Sequence, residues 1–349
     1  MRIAIVTDAW LPQVNGVVTT LGRTRDELIR AGHRVKMITP ADHRTVPCPT
    51  YPEIRLSVLP YRRVRRTLDA FRPDCIHIAT EGPLGFAARR YCVRHGLAFT
   101  TSYHTRFPQY VRERVPIPFS WIYAWLRRFH RPAAATLVPT PAVRDELAAR
   151  RFRRLRLWSR GVDVGLFRPE PKAAVAGPRP IYLYMGRVAV EKNVEAFLQL
   201  GLPGTKYVVG DGPDLARLRA EYPDAVFTGY RFGADLAAHL AAADVFVFPS
   251  RTDTFGLVML EAMACGTPVA AYPVTGPLDV IESGRTGILH EDLGVAVRGA
   301  LALDRSVCRQ AALEKSWARA TGEFVSHLAR NDAVTPQDDA QVWPTAADP

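Results

Sequence analysis

The sequence lacks an apolar run long enough to cross a bilayer, and its cysteines are few. A membrane-spanning helix needs about 20 consecutive apolar residues, so no transmembrane anchor is predicted. The five cysteines are odd in number and contain no C-x-x-C pair, which argues against disulfides and against a zinc site. The first eight residues are too short and too soon charged for a signal peptide. We therefore expect a cytoplasmic protein.

Several function-bearing motifs are also missing. There is no G-x-G-x-x-G fingerprint of a dinucleotide site and no D-x-D or histidine cluster for a metal ion. No helix-turn-helix, zinc finger or RNP-like strand is visible, which argues against a nucleic-acid module. The net charge of +12 nevertheless suggests an anionic partner. An anionic membrane surface is the better candidate for that partner than nucleic acid.

The 349 residues, 48% of them hydrophobic, are enough for two domains of Rossmann size. Short apolar strands alternate with amphipathic helices along the chain, which predicts an α/β fold with parallel sheets. The Pro/Ala/Gly stretch after residue 168 has the composition of a linker. The predicted units are 1–168, 169–305, a C-terminal helix within 306–329, and a disordered tail over 330–349.

The most informative stretch runs from Ser250 to Pro268. An apolar strand precedes it, and Leu257 begins a predicted helix whose first amides have no partner within the helix. Because such amides lie at the positive end of the helix dipole, those of Phe255, Gly256 and Leu257 form a site for a phosphate. Asp253 lies just before this helix, and Glu261 lies one turn into it. Two carboxylates are thus predicted to flank one anion site.

Two further turns carry candidate ligand-binding side chains. Arg187 and Lys192 follow the predicted strand 181–185, where two cations five residues apart can converge on one diphosphate. His104 and Arg106 follow the predicted strand 98–101, at the edge where parallel sheets bind ligands. A surface arginine–lysine pair and a loop-capping histidine are the non-functional alternatives.

The spacing from Asp253 to Glu261, with Phe-Gly after the first acid and Glu-Ala-Met-Ala-Cys-Gly-Thr-Pro-Val at the second, resembles the E-x7-E signature of retaining glycosyltransferases of family 4. The resemblance implies the GT-B fold, in which two Rossmann-like domains face each other across a cleft. It also implies that Glu261 binds the ribose hydroxyls of a nucleotide sugar and that the first acid binds the sugar. This chain has Asp253 where the family usually has glutamate, so the donor sugar is left open.

Other segments match the same family. They are Gly16 in the first βα loop, the Gly161-Val162-Asp163 crossover, the turn from Gly186 to Asn193, and Gly229 to Phe232, where relatives read the base. The resemblance implies that His104 contacts the donor sugar and that the last helix packs back on the first domain. The implied catalytic residues are His104, Arg187, Lys192 and Asp253. The implied substrate-binding residues are Gly16, Arg106, Arg231, Arg251, Thr254, Phe255, Gly256, Leu257 and Glu261.

The implied reaction is transfer of a hexosyl group with retention of configuration, without a metal or another cofactor. The segment Tyr103 to His130 resembles transferases that glycosylate diacylglycerol, which favours UDP-glucose or UDP-glucuronate as donor. The carboxylate of a uronic donor could pair with Arg106 or Arg251. One alternative is a GDP-mannose-dependent α-mannosyltransferase acting on a phosphatidylinositol-type lipid or a polysaccharide. Another is a non-catalytic nucleotide-sugar-binding protein docked on a membrane.

Two arginine-rich segments are candidates for membrane contact. Four arginines lie between Arg62 and Arg66, and a predicted helix near 121–131 combines Trp121 and Trp125 with neighbouring arginines. Such a helix suits a bilayer interface, but the same spacing also suits a helix that faces a protein core. We expect peripheral attachment to the cytosolic face of the inner membrane, and the sequence gives no indication of the oligomeric state.

Overall fold

The computed structural model describes residues 1–13, 15–48, 51–104, 118–172 and 175–331, with the backbone alone at 51–53. The predictions at Arg106 and in the tail beyond Asn331 lie outside these residues. The described chain contains two six-stranded sheets, each made only of parallel strands, with helices on both faces. The predicted α/β class with two Rossmann-like domains is therefore confirmed.

The central strands β1, β5 and β7 of the first domain are buried apolar runs. Its strands are β1 (Arg2–Val6), β2 (Arg34–Ile38), β3 (Thr45–Cys48), β4 (Tyr51–Ser57), β5 (Cys75–Ile78), β6 (Thr100–Ser102), β7 (Ala135–Val138) and β8 (Leu155–Leu157). Its helices are α1 (Gly16–Arg30), α2 (Tyr61–Phe71), α3 (Pro83–Arg94), α4 (Phe119–His130) and α5 (Pro141–Ala149), with a 3-10 turn at Pro40–Asp42. The sheet order is β2-β1-β5-β6-β7-β8.

Strands β3 and β4 form an antiparallel hairpin outside the main sheet. The composition of residues 42–60 is typical of a surface excursion, and in the structure this excursion forms the hairpin. The segment is rich in proline and polar residues, and proline lacks the amide that a ladder needs. An isolated edge hairpin tolerates such residues, so its sequence carries little strand signal.

The second domain repeats the architecture. Its strands are β9 (Ile181–Met185), β10 (Thr205–Val209), β11 (Val226–Gly229), β12 (Val245–Phe248), β13 (Val269–Ala271) and β14 (Gly287–Leu289). Its helices are α6 (Val194–Leu198), α7 (Leu215–Glu221), α8 (Gly233–Ala242), α9 (Leu257–Ala264), α10 (Pro277–Val280), α11 (Leu293–Ala300) and α12 (Arg305–Leu313), with a 3-10 turn at Val190–Lys192. The sheet order is β11-β10-β9-β12-β13-β14. Val162 and Phe167 already belong to this domain's core, so the packing changes domain before residue 168.

The C-terminal helical segment is divided between the domains. The sequence predicts one helix over 306–328, but α12 ends at Leu313 and α13 (Trp317–His327) begins after Ser316, whose side chain accepts a hydrogen bond from the Arg319 amide. Helix α12 packs against α9 in the second domain, while α13 packs against α1 in the first. Of these two helices only α13 returns to the first domain.

The chain continues as ordered structure beyond α13. The Asn331 amide donates to the Asp74 carbonyl at 2.8 Å, and the Asn331 side chain bonds both backbone groups of Ala98. Arg330 forms a bridge with Cys75 at the start of β5. The predicted disordered tail is therefore wrong for these first two residues, which close the edge of the first domain.

Each sheet has one point where the strand order reverses, between β1 and β5 in the first domain and between β9 and β12 in the second. Ligands of open α/β sheets bind outside the carboxyl ends of the strands at such points. The loops that follow β9 and β12 carry the predicted cations and the predicted acids. The fold thus places both sets at one position in the second domain.

Candidate functional site

The side chains that follow β9 and β12 meet, because these two strands are neighbours in the sheet. The ammonium of Lys192 forms an ion pair with the carboxylate of Asp253, although the two residues are 61 positions apart in the chain. Arg187 lies just after Gly186 at the end of β9, and its carbonyl accepts a hydrogen bond from the Tyr184 hydroxyl at 2.7 Å. The cation-bearing turn and the acid-bearing loop are therefore parts of one site.

The loop before α9 is held by backbone contacts to the turn at Lys192. The hydroxyls of Ser250 and Thr252 lie 3.4 Å from the Glu191 carbonyl. Gly256 has φ +80°, and a Cβ there would lie 2.6 Å from the Met259 methyl group. Only glycine adopts this backbone readily. The predicted anion site at the start of α9 therefore depends on a glycine for its shape, while its predicted role as a phosphate site stays a prediction.

Glu261 lies on the first turns of α9 and is only partly exposed. Burial raises the pKa of its carboxyl to about 7, an effect that the positive charge of Arg23 opposes. Arg23 itself is on α1 of the first domain and is paired with Asp163 at 3.1 Å. A desolvated carboxylate facing the cleft is a strong acceptor for two vicinal hydroxyls, which is the chemistry that ribose binding needs.

The first domain faces this site through the loop before α1. Asn15 caps α1 by accepting hydrogen bonds from the amides of Val17 at 3.0 Å and Val18 at 3.1 Å. A Cβ on Gly16 would lie 3.6 Å from the Leu257 methyl group at the start of α9. The structure thus brings Gly16 next to the predicted phosphate site, across the two domains.

His104 joins the two halves of the site. Its carbonyl accepts a hydrogen bond of 2.8 Å from the Thr254 hydroxyl, and this bond is buried. Its imidazole Nδ1 lies 3.1 Å from a guanidinium nitrogen of Arg160, and its Nε2 is buried without a partner among the described residues. The predicted histidine therefore contacts the acid-bearing loop directly, through its backbone.

Two buried charged residues escape the sequence analysis. Arg160 follows β8 and is only 4% exposed, beneath His104. Asp8 follows β1 and accepts hydrogen bonds from the Thr80 hydroxyl at 2.9 Å and the Leu84 amide at 2.9 Å, so it caps α3. A Cβ on Gly82 would lie 2.4 Å from the Asp8 carboxyl carbon. A lone acid or arginine next to a strand gives no sequence signal, since the role depends on the strand order.

The predicted substrate-contacting arginines have other partners. The Arg251 guanidinium lies 3.6 Å from the ring centroid of Tyr272 and 3.7 Å from Glu291. Arg231 pairs with Asp235 at 3.2 Å on the next helix and is 40% exposed. Among the described residues neither guanidinium forms an ion pair with Asp253 or Glu261. Their contacts with a donor therefore stay predictions.

No group of three or more His, Cys, Asp or Glu side chains suited to a metal ion is found in the described ranges. The expectation that the reaction needs no metal and no other cofactor stays a prediction. All five cysteines are free thiols. The described residues offer here a lysine paired with the carboxylate of Asp253, the first amides of α9 and the carboxyl of Glu261 on the same helix. Such a set is suited to an anion that carries hydroxyl groups at either end.

Two family models match successive parts of the chain. Residues 14–166 match the family model described as Glycosyltransferase Family 4, and residues 179–302 match that described as Glycosyl transferases group 1. These matches divide the chain where the fold divides.

Curated relatives cover nearly the whole chain. It is 35% identical to a GDP-mannose-dependent alpha-mannosyltransferase of Mycobacterium tuberculosis, over 94% of this chain and 96% of that protein. It is 36% identical to the sulfoquinovosyl transferase SQD2 of Arabidopsis thaliana, over 70% of this chain and 52% of that protein. An alpha-monoglucosyldiacylglycerol synthase of Streptococcus pneumoniae is 28% identical over 86% of this chain and 78% of that protein.

Solved structures share the fold. HepE of Anabaena, in complex with UDP and glucose, superposes with a TM-score of 0.70 at 16% identity and covers 93% of this chain and 98% of that one. The sucrose-phosphate synthase of Thermosynechococcus elongatus superposes with a TM-score of 0.72 at 22% identity, over 93% and 97% of the two chains. At these identities the comparison supports the two-domain architecture alone.

Proposed function

The chain belongs to glycosyltransferase family 4, and we propose that it transfers a mannosyl group from GDP-mannose, with retention of configuration, to a membrane-lipid acceptor. It is a hexosyltransferase that uses a nucleotide sugar. The proposed donor rests on one observation above others, the 35% and 36% identity to GDP-mannose-dependent alpha-mannosyltransferases over 94% of the chain. This reverses the order of preference that the sequence alone suggests, in which UDP-glucose or UDP-glucuronate comes first.

The geometry supports a diphosphate between the domains. In the proposed complex Lys192 and the amides of Phe255 to Leu257 stabilise the negative charge that builds on the departing diphosphate. Glu261 holds the ribose at one end. Asp253, which pairs with Lys192 in this structure, holds hydroxyls of the sugar at the other end.

A second candidate is transfer of a glucosyl, glucuronosyl or sulfoquinovosyl group from a UDP-sugar to diacylglycerol. The identity of 36% to a sulfoquinovosyl transferase and of 28% to an alpha-monoglucosyldiacylglycerol synthase favours this alternative. It shares the diphosphate site and differs in the base, the sugar and the lipid. The two candidates are therefore separable by the nucleotide alone.

The first test is calorimetric titration of the protein with GDP and with UDP, followed by transfer assays with labelled GDP-mannose, UDP-glucose and UDP-glucuronate on total membrane lipid. The proposal predicts tighter binding of GDP and a labelled lipid from GDP-mannose only. A labelled lipid from a UDP-sugar alone would establish the second candidate instead. Nucleotide binding without turnover of any donor would contradict the assignment to catalysis.

We also propose that the first domain docks on an anionic membrane through α2 and α4. In α2 the arginines at 62, 63, 65 and 66 are exposed while Val64 and Leu68 are buried. Helix α4 buries Ile122 and Leu126 in the core and leaves Trp121 72% exposed. One face of the helix is therefore packed on the protein and another is open to solvent. Exposed tryptophan beside arginine suits the headgroup region of a bilayer.

These two helices lie on the same side of the sheet, on either side of α3. The guanidinium of Arg90 on α3 lies over Tyr61 of α2, and Phe86 of α3 packs against Trp125 of α4 with ring centroids 5.2 Å apart. In the part of the chain that the structure describes, no helix has the length and apolar character needed to cross a bilayer. Attachment by this face would be peripheral.

Sedimentation with vesicles of phosphatidylcholine, with and without phosphatidylglycerol, tests the docking. Reversing charge with Arg63→Glu and Arg66→Glu, or removing the ring with Trp121→Ser, should weaken binding to the anionic vesicles. Arg285→Glu, an exposed arginine of the second domain, is the matched control and should bind normally. Equal weakening by the control, or none by the three changes, would contradict docking through this face.

A further inference from the structure

Arg160 is a buried cation that the proposed transfer does not itself require. It is 4% exposed and follows β8, where Gly161 and Val162 continue the crossover to the second domain. Its guanidinium donates to the carbonyls of Trp158 at 2.7 Å and Ser159 at 3.1 Å and stacks over the Trp158 ring at 4.5 Å. Ser159 is in turn fixed by Glu323 of α13, which accepts from its amide at 3.0 Å and its hydroxyl at 2.9 Å. The guanidinium is held in one orientation.

The remaining contact of this guanidinium is with His104. One guanidinium nitrogen lies 3.1 Å from His104 Nδ1, and the contact is buried. A guanidinium can only donate hydrogen bonds, so Nδ1 must present its lone pair. The proton of a neutral imidazole then has to be on Nε2. A second proton on Nδ1 would place this N–H against an N–H of the Arg160 guanidinium, and the two would repel each other.

We propose that Arg160 is a positioning residue that locks His104 in the neutral Nε2–H tautomer, so that this N–H donates to a hydroxyl of the donor sugar. The Nε2 atom is buried and has no partner among the described residues. A buried donor left unpaired costs about 1–3 kcal/mol. A bond from this N–H to a hydroxyl oxygen would remove that cost. The inference rests on the proposed function only in naming a sugar hydroxyl as the acceptor.

The surroundings of His104 agree with a permanently neutral ring. Burial lowers the pKa of His104 well below its usual value, and the positive charge of Arg160 lowers it further. His77 lies behind it in the core, bonded to Thr100 at 2.9 Å and Ser102 at 2.8 Å. Burial lowers the pKa of the Arg160 guanidinium, and the negative charge of Glu323 opposes that lowering. His104 therefore serves as a hydrogen-bond donor and is unsuited to act as a general base.

The first experiment uses the unmodified protein. Protein labelled with ¹⁵N-histidine is followed by long-range ¹H–¹⁵N spectra from pH 5.5 to 8, and His104→Asn identifies the His104 signals. We expect protonated Nε2, unprotonated Nδ1 and no titration across this range. Protonation at Nδ1, or titration near pH 6.5, would overturn the inference without any reference to enzyme activity.

The second experiment changes the arginine. In Arg160→Met the tautomer should become mixed and kcat should fall about twofold to fivefold, because only the fraction of His104 that carries the Nε2 proton can donate to the sugar. Arg160→Lys keeps a cationic donor and should recover part of both. The matched control is Arg154→Met, since Arg154 donates to carbonyls of the same domain at 3.0 Å and 3.4 Å.

The outcomes separate this inference from the proposed function. A normal tautomer in Arg160→Met with reduced kcat would show that the arginine has only a structural role, which overturns the inference. If Arg160→Met does not fold, the spectra of the unmodified protein still decide. A locked tautomer in a protein that turns over no donor would support the inference and contradict the proposed function.

Discussion

The ionised carboxyl group of Glu261 should lower the free energy of unfolding of the protein without bound nucleotide. Replacing the carboxyl with an amide should restore that free energy. The pKa of the carboxyl is raised from 4.5 to about 7 by burial. The folded protein therefore binds the proton more tightly than the unfolded chain does. The cost is absent below about pH 4.5, grows as the pH rises and is complete above about pH 7.

The size of the cost follows from the shift. Moving the pKa from 4.5 to about 7 corresponds to at most about 3.4 kcal/mol at alkaline pH. Because Glu261 is partly exposed, solvent screening reduces this, and we expect about 2 kcal/mol. For a domain of this size that is about 4–8 °C in Tm. Glu261→Gln should thus be more stable than the native protein at pH 8 and equally stable near pH 4.5.

Thermal and urea unfolding at pH 5 and pH 8 measure the effect, with Glu282→Gln as the control. Glu282 is 57% exposed and paired with Arg285, so its replacement should change stability little at either pH. The same substitution at 261 should weaken nucleotide binding, because an amide cannot accept both ribose hydroxyls as a carboxylate can. A Glu261→Gln variant that is no more stable at pH 8, or that gains equally at both pH values, would refute the reasoning.

Three further predictions follow from contacts of the site. Lys192→Met should lower kcat about 100-fold to 1000-fold, since it removes charge stabilisation of the leaving diphosphate, as single-turnover assays would show; a loss below fivefold would contradict that role. Thr254→Val removes the buried 2.8 Å bond to the His104 carbonyl, so urea unfolding should show a loss of about 1 kcal/mol and initial rates a donor KM raised about fivefold; no change in either would contradict the contact. Burial lowers the pKa of His77 to about 3 and of His104 well below its usual value. Above about pH 6.5 both rings are neutral in the folded and unfolded chain, so they do not lower the free energy of unfolding. Below about pH 6.5 the free energy of unfolding, measured with urea in the Glu261→Gln background, should fall by up to about 1.4 kcal/mol per pH unit for each histidine. A free energy that does not change with pH would contradict the burial of both histidines as neutral rings.

Much of the fold could be predicted because each buried strand is a short apolar run. The strand Ile181–Met185 and the helix Leu257–Ala264 have the predicted bounds. The hairpin at 45–57 could not be predicted, since its strands contain proline and polar residues and bury little. The break between α12 and α13 depends on a distant contact, a 2.8 Å bond from the Val162 amide to the Lys315 carbonyl. A local signal for the break is also present, because Ser316 is a typical N-cap residue and caps α13.

The site was predictable where its chemistry is local. The carboxylates of Asp253 and Glu261 and the amides between them lie on one loop and one helix, so their spacing gives their arrangement. The pairing of Lys192 with Asp253 follows only from the adjacency of β9 and β12. The proposed role of Arg160 is harder to predict from sequence. It depends on contacts among three segments that are distant in the chain, the end of β8, His104 and α13.

The central claim is that one interdomain crevice holds the diphosphate of a nucleotide sugar, and a crystal structure with GDP or UDP bound tests it most directly. The account predicts the diphosphate within hydrogen-bond distance of Lys192 and of the amides of Phe255 to Leu257, with the ribose hydroxyls on Glu261. Nucleotide bound elsewhere, with Lys192 still paired to Asp253 alone, would contradict it.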